Sequence, residues 1–147
     1  MCLDLDEFKA VNDAYGHSAG DLLLQEAARR LKSACRIEDT VARIGGDEFT
    51  VLSVGIGFPA RLSLVAERIT EAFSRPFVLD GIEVGIGISI GIAVAPLDGL
   101  DPRELLARAD TALYGAKEDG RNRYRFFNET VLGQSREATL LPGKKLA

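Results

Sequence analysis

Arg43-Ile44-Gly45-Gly46-Asp47-Glu48-Phe49 is the stretch on which the reading of this chain turns. Thr40-Val41-Ala42-Arg43 before it and Phe49-Thr50-Val51-Leu52-Ser53-Val54 after it have strand character, so the glycine pair falls where an antiparallel hairpin must reverse. Glycine lacks a Cβ atom, which permits positive φ and lets a ligand approach the main chain. Two adjacent carboxylates beside such an opening repel each other unless a cation lies between them, and a hard divalent metal is the usual one. The same letters also suit an ordinary hairpin with solvated acids, since Gly-Gly-Asp is common turn chemistry. Taken alone, they do not choose between these readings.

Outward from the hairpin, the chain has the bulk of one domain. Its 147 residues suffice for a real core, and 46% hydrophobic against 27% charged residues is a globular balance. A net charge of −4 argues against a broad nucleic-acid-binding surface, though not against a nucleotide held with a metal ion. Cys2 and Cys35 match no metal-ligand spacing, so a reducing cytoplasm is the default expectation. No apolar run approaches the ~18 to 20 residues of a membrane span, and no secretory leader is expected before the first strand. Membrane contact would have to come through segments not present here.

Met1-Cys2-Leu3-Asp4-Leu5-Asp6 alternates with a period of two, which sets Leu3 and Leu5 on one face of a strand and Asp4 and Asp6 on the other. Without a partner motif those acids read as solvated edge charges. A central strand usually has more residues before its functional end, so an N-terminally truncated domain is expected. A short helix is predicted over Glu7–Tyr15, with Phe8 and Val11 inward, and Gly16 ends it. Ser18 is the expected N-cap of a second helix reaching Ala34, with Leu22, Leu23, Ala27 and Leu31 as its buried stripe.

Beyond the central hairpin, a third helix is predicted over Ala60–Phe73, with Leu62, Val65, Ala66 and Ile69 inward. Asp80-Gly81 turns a short hairpin between Phe77–Leu79 and Ile82–Val84. Ile86–Ala95 is a β run whose Gly85, Gly87 and Gly91 have the wrong spacing for a dinucleotide fingerprint and read as tight sheet packing. Asp101 and Pro102 open a last helix to Glu118, Gly120 stops it, and Arg123–Phe127 returns as a strand. Residues 128–147 read as a linker or the start of a following domain. This order predicts an α+β fold: an α/β sandwich with a ferredoxin-like, mostly antiparallel central sheet flanked by helices.

Several separated segments agree with one family. Asp4-Leu5-Asp6-Glu7-Phe8-Lys9-Ala10-Val11-Asn12-Asp13, Gly16-His17-Ser18-Ala19-Gly20-Asp21 and Ala42-Arg43-Ile44-Gly45-Gly46-Asp47-Glu48-Phe49 come first. Ser89-Ile90-Gly91-Ile92-Ala93, Ala109-Asp110-Thr111-Ala112-Leu113-Tyr114-Gly115-Ala116-Lys117 and Gly120-Arg121-Asn122 follow in order. Any one is weak; together they resemble the GGDEF family of diguanylate cyclases over residues 1–127, with its nucleotidyl cyclase-like fold. The Leu-Thr-x-Leu-x-Asn-Arg segment and longer first strand usual in that family do not occur in this sequence.

The resemblance implies condensation of two GTP molecules into cyclic di-GMP, with release of two pyrophosphates and product inhibition, by a homodimer of domains. It implies Mg²⁺ or Mn²⁺ on the carboxylates of Asp4 and Asp47 and the Leu5 carbonyl, with Asp47 and Glu48 accepting the proton of the attacking hydroxyl. Gly45 and Gly46 would let the nucleotide lie against the hairpin, Asn12 and Asp21 would read guanine, and His17 would lie nearby. Lys117, Arg121 and the amides of Phe8 and Lys9 would hold the β- and γ-phosphates. Arg36, Asp39 and Arg68 would form the inhibitory site for the product. Singly, each has an ordinary reading: an acidic first turn, a surface histidine, a basic helix end. A binding module that holds GTP or cyclic di-GMP without turnover is the competing function, and an interaction domain without nucleotide a remoter one.

Overall fold

The computed structural model describes residues 1–57 and 59–130, so most of the predicted 128–147 linker lies outside the described residues. Strand β1 (Cys2–Leu5) is followed by helices α1 (Phe8–Tyr15) and α2 (His17–Ala34), then the hairpin β2 (Thr40–Gly45) and β3 (Glu48–Leu52). Helix α3 (Ala60–Ser74), a small hairpin β4 (Phe77–Leu79) and β5 (Ile82–Val84), β6 (Ile88–Ile92), α4 (Pro102–Glu118) and β7 (Tyr124–Phe126) complete it. The main sheet runs β2-β3-β1-β6-β7, antiparallel except for β6 with β7, while β4 and β5 pair apart from it. A parallel pair needs a crossover, and α4 is that crossover. The α+β sandwich with a mostly antiparallel central sheet is therefore the observed fold.

Burial explains which strands are central. All five residues of β6 are buried, because α3 packs on one face of the sheet and α4 on the other. Edge strand β2 has no buried residue. Leu3 and Leu5 of β1 enter a core with Leu23, Ala27 and Leu31 of α2, Phe49 and Val51 of β3, and Ile69 and Phe73 of α3. Arg30 joins α2 to the end of α3: it donates to the carbonyls of Ala72, Arg75 and Pro76, and its guanidinium lies 3.5 Å from the centre of the Phe77 ring.

Helix α4 approaches the sheet so closely at Gly91 that a Cβ there would lie 1.9 Å from the Ala109 carbonyl oxygen and 2.2 Å from the Leu113 nitrogen. The glycine run predicted as tight sheet packing is, at this position, the seat of a helix. No helix among the described residues is long and apolar enough to cross a membrane.

Three local expectations shift. Helix α2 starts at His17 with Gly16 as its N-cap and no side-chain cap, so Ser18 lies inside the first turn. Its buried stripe includes Leu24, and Leu22 sits at the half-buried margin. Asp4 and Asp6, expected as solvated charges on residue pattern alone, are both only 8% exposed, because α4 covers the sheet face they occupy.

Replacing Gly91 with alanine forces α4 away from the sheet. The variant is expected to lose at least about 1–3 kcal/mol of stability, read as a lower urea midpoint.

Candidate active site

The end of β1 and the central hairpin are built into one another. Strands β2 and β3 extend to Gly45 and Glu48, which pair directly, with a register shift between Arg43 and Gly45 and only Gly46 and Asp47 left in the turn. Gly46 has φ +50°, and the Arg43 Nε donates to its carbonyl at 2.8 Å, bracing the bend from behind. Glu48, expected on the turn, is therefore the first residue of β3 and the cross-strand partner of Asp4. The Leu5 amide donates to the Asp47 carbonyl at 3.2 Å, so Asp4, Leu5, Asp47 and Glu48 meet across two adjacent strands. Ile44, Gly45 and Gly46 are exposed, and a Cβ on either glycine would meet nothing within 4 Å.

Like charges directly opposite on adjacent strands oppose pairing. The Asp4 carboxyl is pushed above its usual range, first by burial and further by the Asp47 and Glu48 carboxylates. Lys117, from the last turn of α4, pulls in the other direction: its Nζ lies 3.0 Å from the Asp4 Oδ2. That position differs from a lysine free to meet phosphate, and it makes Lys117 the one cation paired with this acidic group among the described residues.

Among the described residues, no three His, Cys, Asp or Glu side chains converge as a self-sufficient metal cage. Mg²⁺ does not require one, since it is commonly held by one or two carboxylates, with substrate phosphates and water completing its octahedron. Hard oxygen donors crowded at the end of β1 fit a hard divalent cation in chemistry and in excess negative charge.

Helix α1 begins at Phe8 after Glu7, whose backbone is left-handed (φ 59°, ψ 30°), and no side chain caps it. Phe8 and Lys9 thus open a helix N-terminus that attracts anions. Asn12 lies between α1 and α2: a Cβ on Gly20 would fall 1.8 Å from its Oδ1 and 3.2 Å from the Phe8 Cζ. The Asn12 side chain is thereby packed against Gly20, while Asp21 and His17 stand exposed on the first turns of α2.

At the other end of the group, α4 stops at Glu118 and Arg121 occupies the turn beyond, its amide donating to the Ala116 carbonyl at 3.1 Å. Arg121 has φ +63°, so it does not continue the helical face that carries Lys117. It lines a cleft of about 670 Å³ shared with Glu7, Ala10 and Gly85–Gly87, beside the start of α1.

The second predicted cluster also forms. Arg36 binds Asp39 through its backbone amide (2.8 Å) and its Nη2 (2.9 Å), and that Nη2 reaches the Val54 carbonyl at 3.0 Å. Burial raises the Asp39 pKa, but hydrogen bonds from Arg36 outweigh it and hold the carboxyl below its usual value. Arg36 and Arg68 line one groove of about 450 Å³ with apolar Ile56, Leu64 and Val65. The sequence reading missed Arg61, which lines the same groove, and Asp6; the alternation that puts Asp6 beside Asp4 on one strand face was the available signal.

The site thus combines an α+β sandwich, an exposed acid-bearing hairpin, a cation at the central strand's end and an uncapped helix start. Residues 1–123 match the family described as diguanylate cyclase, GGDEF domain. The chain is 48% identical over 137 residues to the bifunctional diguanylate cyclase/cyclic di-GMP phosphodiesterase MucR of Pseudomonas aeruginosa, covering 93% of this chain and 20% of that protein. It is 44% identical to the cyclic di-GMP phosphodiesterase PdeR of Escherichia coli over 85% of this chain and 19% of that one. Among solved structures, the GGDEF domain of PA1120 from Pseudomonas aeruginosa superposes with a TM-score of 0.83 at 40% identity, covering 85% of this chain and 78% of that one. The GGDEF domain of DgcB from Caulobacter crescentus, in complex with c-di-GMP, superposes at 0.67 with 28% identity, covering 86% and 75%. This chain belongs to the GGDEF family. It spans about a fifth of the length of these curated relatives.

A carboxyl whose folded pKa is raised favours its protonated form on folding, so ionised Asp4 costs stability above that pKa and the cost disappears below the unfolded pKa, about 3.9. Asp4→Asn is therefore expected to melt higher than the parent at pH 7, by a few degrees at most, with the difference shrinking toward pH 4. Thermal melts across that range read it.

Proposed function

We propose that this domain condenses two GTP molecules into cyclic di-GMP, releasing two pyrophosphates, with two copies of the domain facing each other. The observation that carries the reading is the convergence of Asp4, Leu5, Asp47, Glu48 and Lys117 at one end of β1, beside an uncapped helix start. Asp4, Asp47 and the Leu5 carbonyl would hold Mg²⁺ or Mn²⁺, which would supply charge neutralisation at the phosphates and ease ionisation of the attacking hydroxyl. Asp47 and Glu48 take the proton from that 3′-hydroxyl. Lys117, whose ammonium lies 3.0 Å from the Asp4 carboxylate, would add its charge to the phosphate-binding group.

Arg121 and the Phe8 and Lys9 amides hold the β- and γ-phosphates, with the guanidinium able to bind two oxygens at once. Asp21 accepts from the paired N–H donors of the guanine edge, which adenine does not offer, and Asn12 and His17 border the same base. Gly45 and Gly46 leave the nucleotide room against the main chain. The open face of the bend suits a reaction whose two halves arrive on two domains, since nothing from the described residues covers it. Such a domain works in the cytoplasm, where its GTP is. Residues 1–127 act as the unit, and residues 128–147 are a linker or the start of a following domain.

Product returns to the second cluster, where Arg36 with Asp39, and Arg68 from α3, meet a guanine base and the phosphodiester. A second reading, a domain that binds nucleotide and passes the signal on without turnover, is favoured by the likeness to a protein named as a phosphodiesterase.

A leucine-zipper dimer of the chain incubated with GTP and Mg²⁺ is expected to yield cyclic di-GMP by mass. Tight GTP binding with no product would select the silent module instead. Asp47→Ala is expected to lower turnover by at least about a thousandfold, as loss of a metal ligand and proton acceptor together should, while keeping its circular dichroism spectrum. Arg36→Ala should leave the initial rate unchanged and shift product inhibition to higher cyclic di-GMP; an unchanged inhibition curve removes the second site.

A further inference from the structure

Two buried carboxylates, Asp6 and Asp98, take no part in the proposed chemistry, and of these Asp6 lines the cleft that holds Arg121. Asp6 is 8% exposed, and its carboxylate has no ion-pair partner among the described residues. It stands two residues before α1, one residue outside the N-cap Glu7, and makes no cap hydrogen bond to that helix. Instead its Oδ1 accepts from the Ser89 hydroxyl at 2.6 Å, and its Oδ2 accepts from the Asn122 amide at 2.9 Å. Its own amide donates to the Gly87 carbonyl at 3.0 Å.

Two strained segments flank this carboxylate. Glu7, next in sequence, has φ +59° and sets the first turn of α1, while Arg121 and Asn122 are consecutive non-glycine residues with φ +63° and +48°. Backbones of this kind persist only where their surroundings hold them. The Asn122 turn also lies directly over Gly87, where a Cβ would come 2.9 Å from both the Asp6 Oδ2 and the Asn122 Oδ1. One carboxylate thus joins the end of β1, the lead into β6 and the turn that carries Arg121.

We propose that Asp6 is a positioning residue for a nucleoside triphosphate: by gripping the Asn122 amide it holds Arg121 toward the cleft that the start of α1 borders, and by turning away from α1 it leaves the helix amides free for phosphate. Arg121 and Glu7 line that one cleft, and Arg121 forms no ion pair among the described residues. A carboxylate on the α1 amides would block them; the Asp6 carboxylate, which also lines the cleft, accepts from the Asn122 backbone amide instead. The inference rests on the assignment of Arg121 and the α1 amides to the β- and γ-phosphates, and it adds the group that fixes their mutual placement.

Calorimetric titration of the chain with GMP and with a GTP analogue whose α–β bridge cannot react, both with Mg²⁺, tests it. The parent should prefer the triphosphate. Asp6→Asn should weaken the analogue by about tenfold, the scale of one misplaced charge-assisted contact, and leave GMP unchanged. Gly87→Ala, which levers the turn off an intact Asp6, should do the same and decides the matter if Asp6→Asn does not fold. Ser89→Ala, which removes only the other hydrogen bond, should lower the melting temperature and keep the preference. Variants that retain the parent's preference, or lose GMP and the analogue equally, overturn the positioning role. A parent with no preference for the triphosphate overturns the phosphate-site reading itself.

Discussion

Strand β1 is hydrogen-bonded on both edges, to β3 and to β6, and that double pairing is the constraint from which the site follows. A strand locked on both sides cannot slip, because a shift of one residue would turn Leu3 and Leu5 out of the core and drive Asp4 and Asp6 into it. The register that buries the leucines therefore also delivers both acids to the face beneath α4, one beside Glu48 and Lys117, the other beside Ser89 and Asn122. Core packing and site geometry are one decision.

The cost of that decision is electrostatic. Asp4 is buried, faces two other acids and has a single lysine for company, so its charged form is disfavoured in the folded protein. A fold optimised for stability alone would place an apolar residue there. The arrangement makes sense for a group whose compensation arrives with a cation, and the same crowding leaves the bend itself open to solvent.

The two clusters differ in how they are satisfied. Around Arg36 and Asp39, donor and acceptor already answer each other, and the pair is braced by the Val54 carbonyl. Around Asp4 and Asp47 the carboxylates outnumber the cations that meet them. The first is a preformed ion pair; the second carries negative charge in excess.

Alternating apolar and acidic residues, helix stops at glycine and a hairpin-type turn are local rules, so the α+β sandwich, its helices and the hairpin bearing Asp47 were legible in sequence alone. The candidate site residues came from family resemblance, since periodicity cannot say that residues 4 and 47 meet. Tertiary structure decided what local pattern could not: that Asp4 and Asp6 are buried, because a helix some hundred residues later covers them, that Lys117 pairs with Asp4, and that Arg121 leaves the helical face on a left-handed turn. Each depends on contacts between segments distant in the chain, and such contacts are set by packing against a shared sheet, to which the order of neighbouring residues is blind.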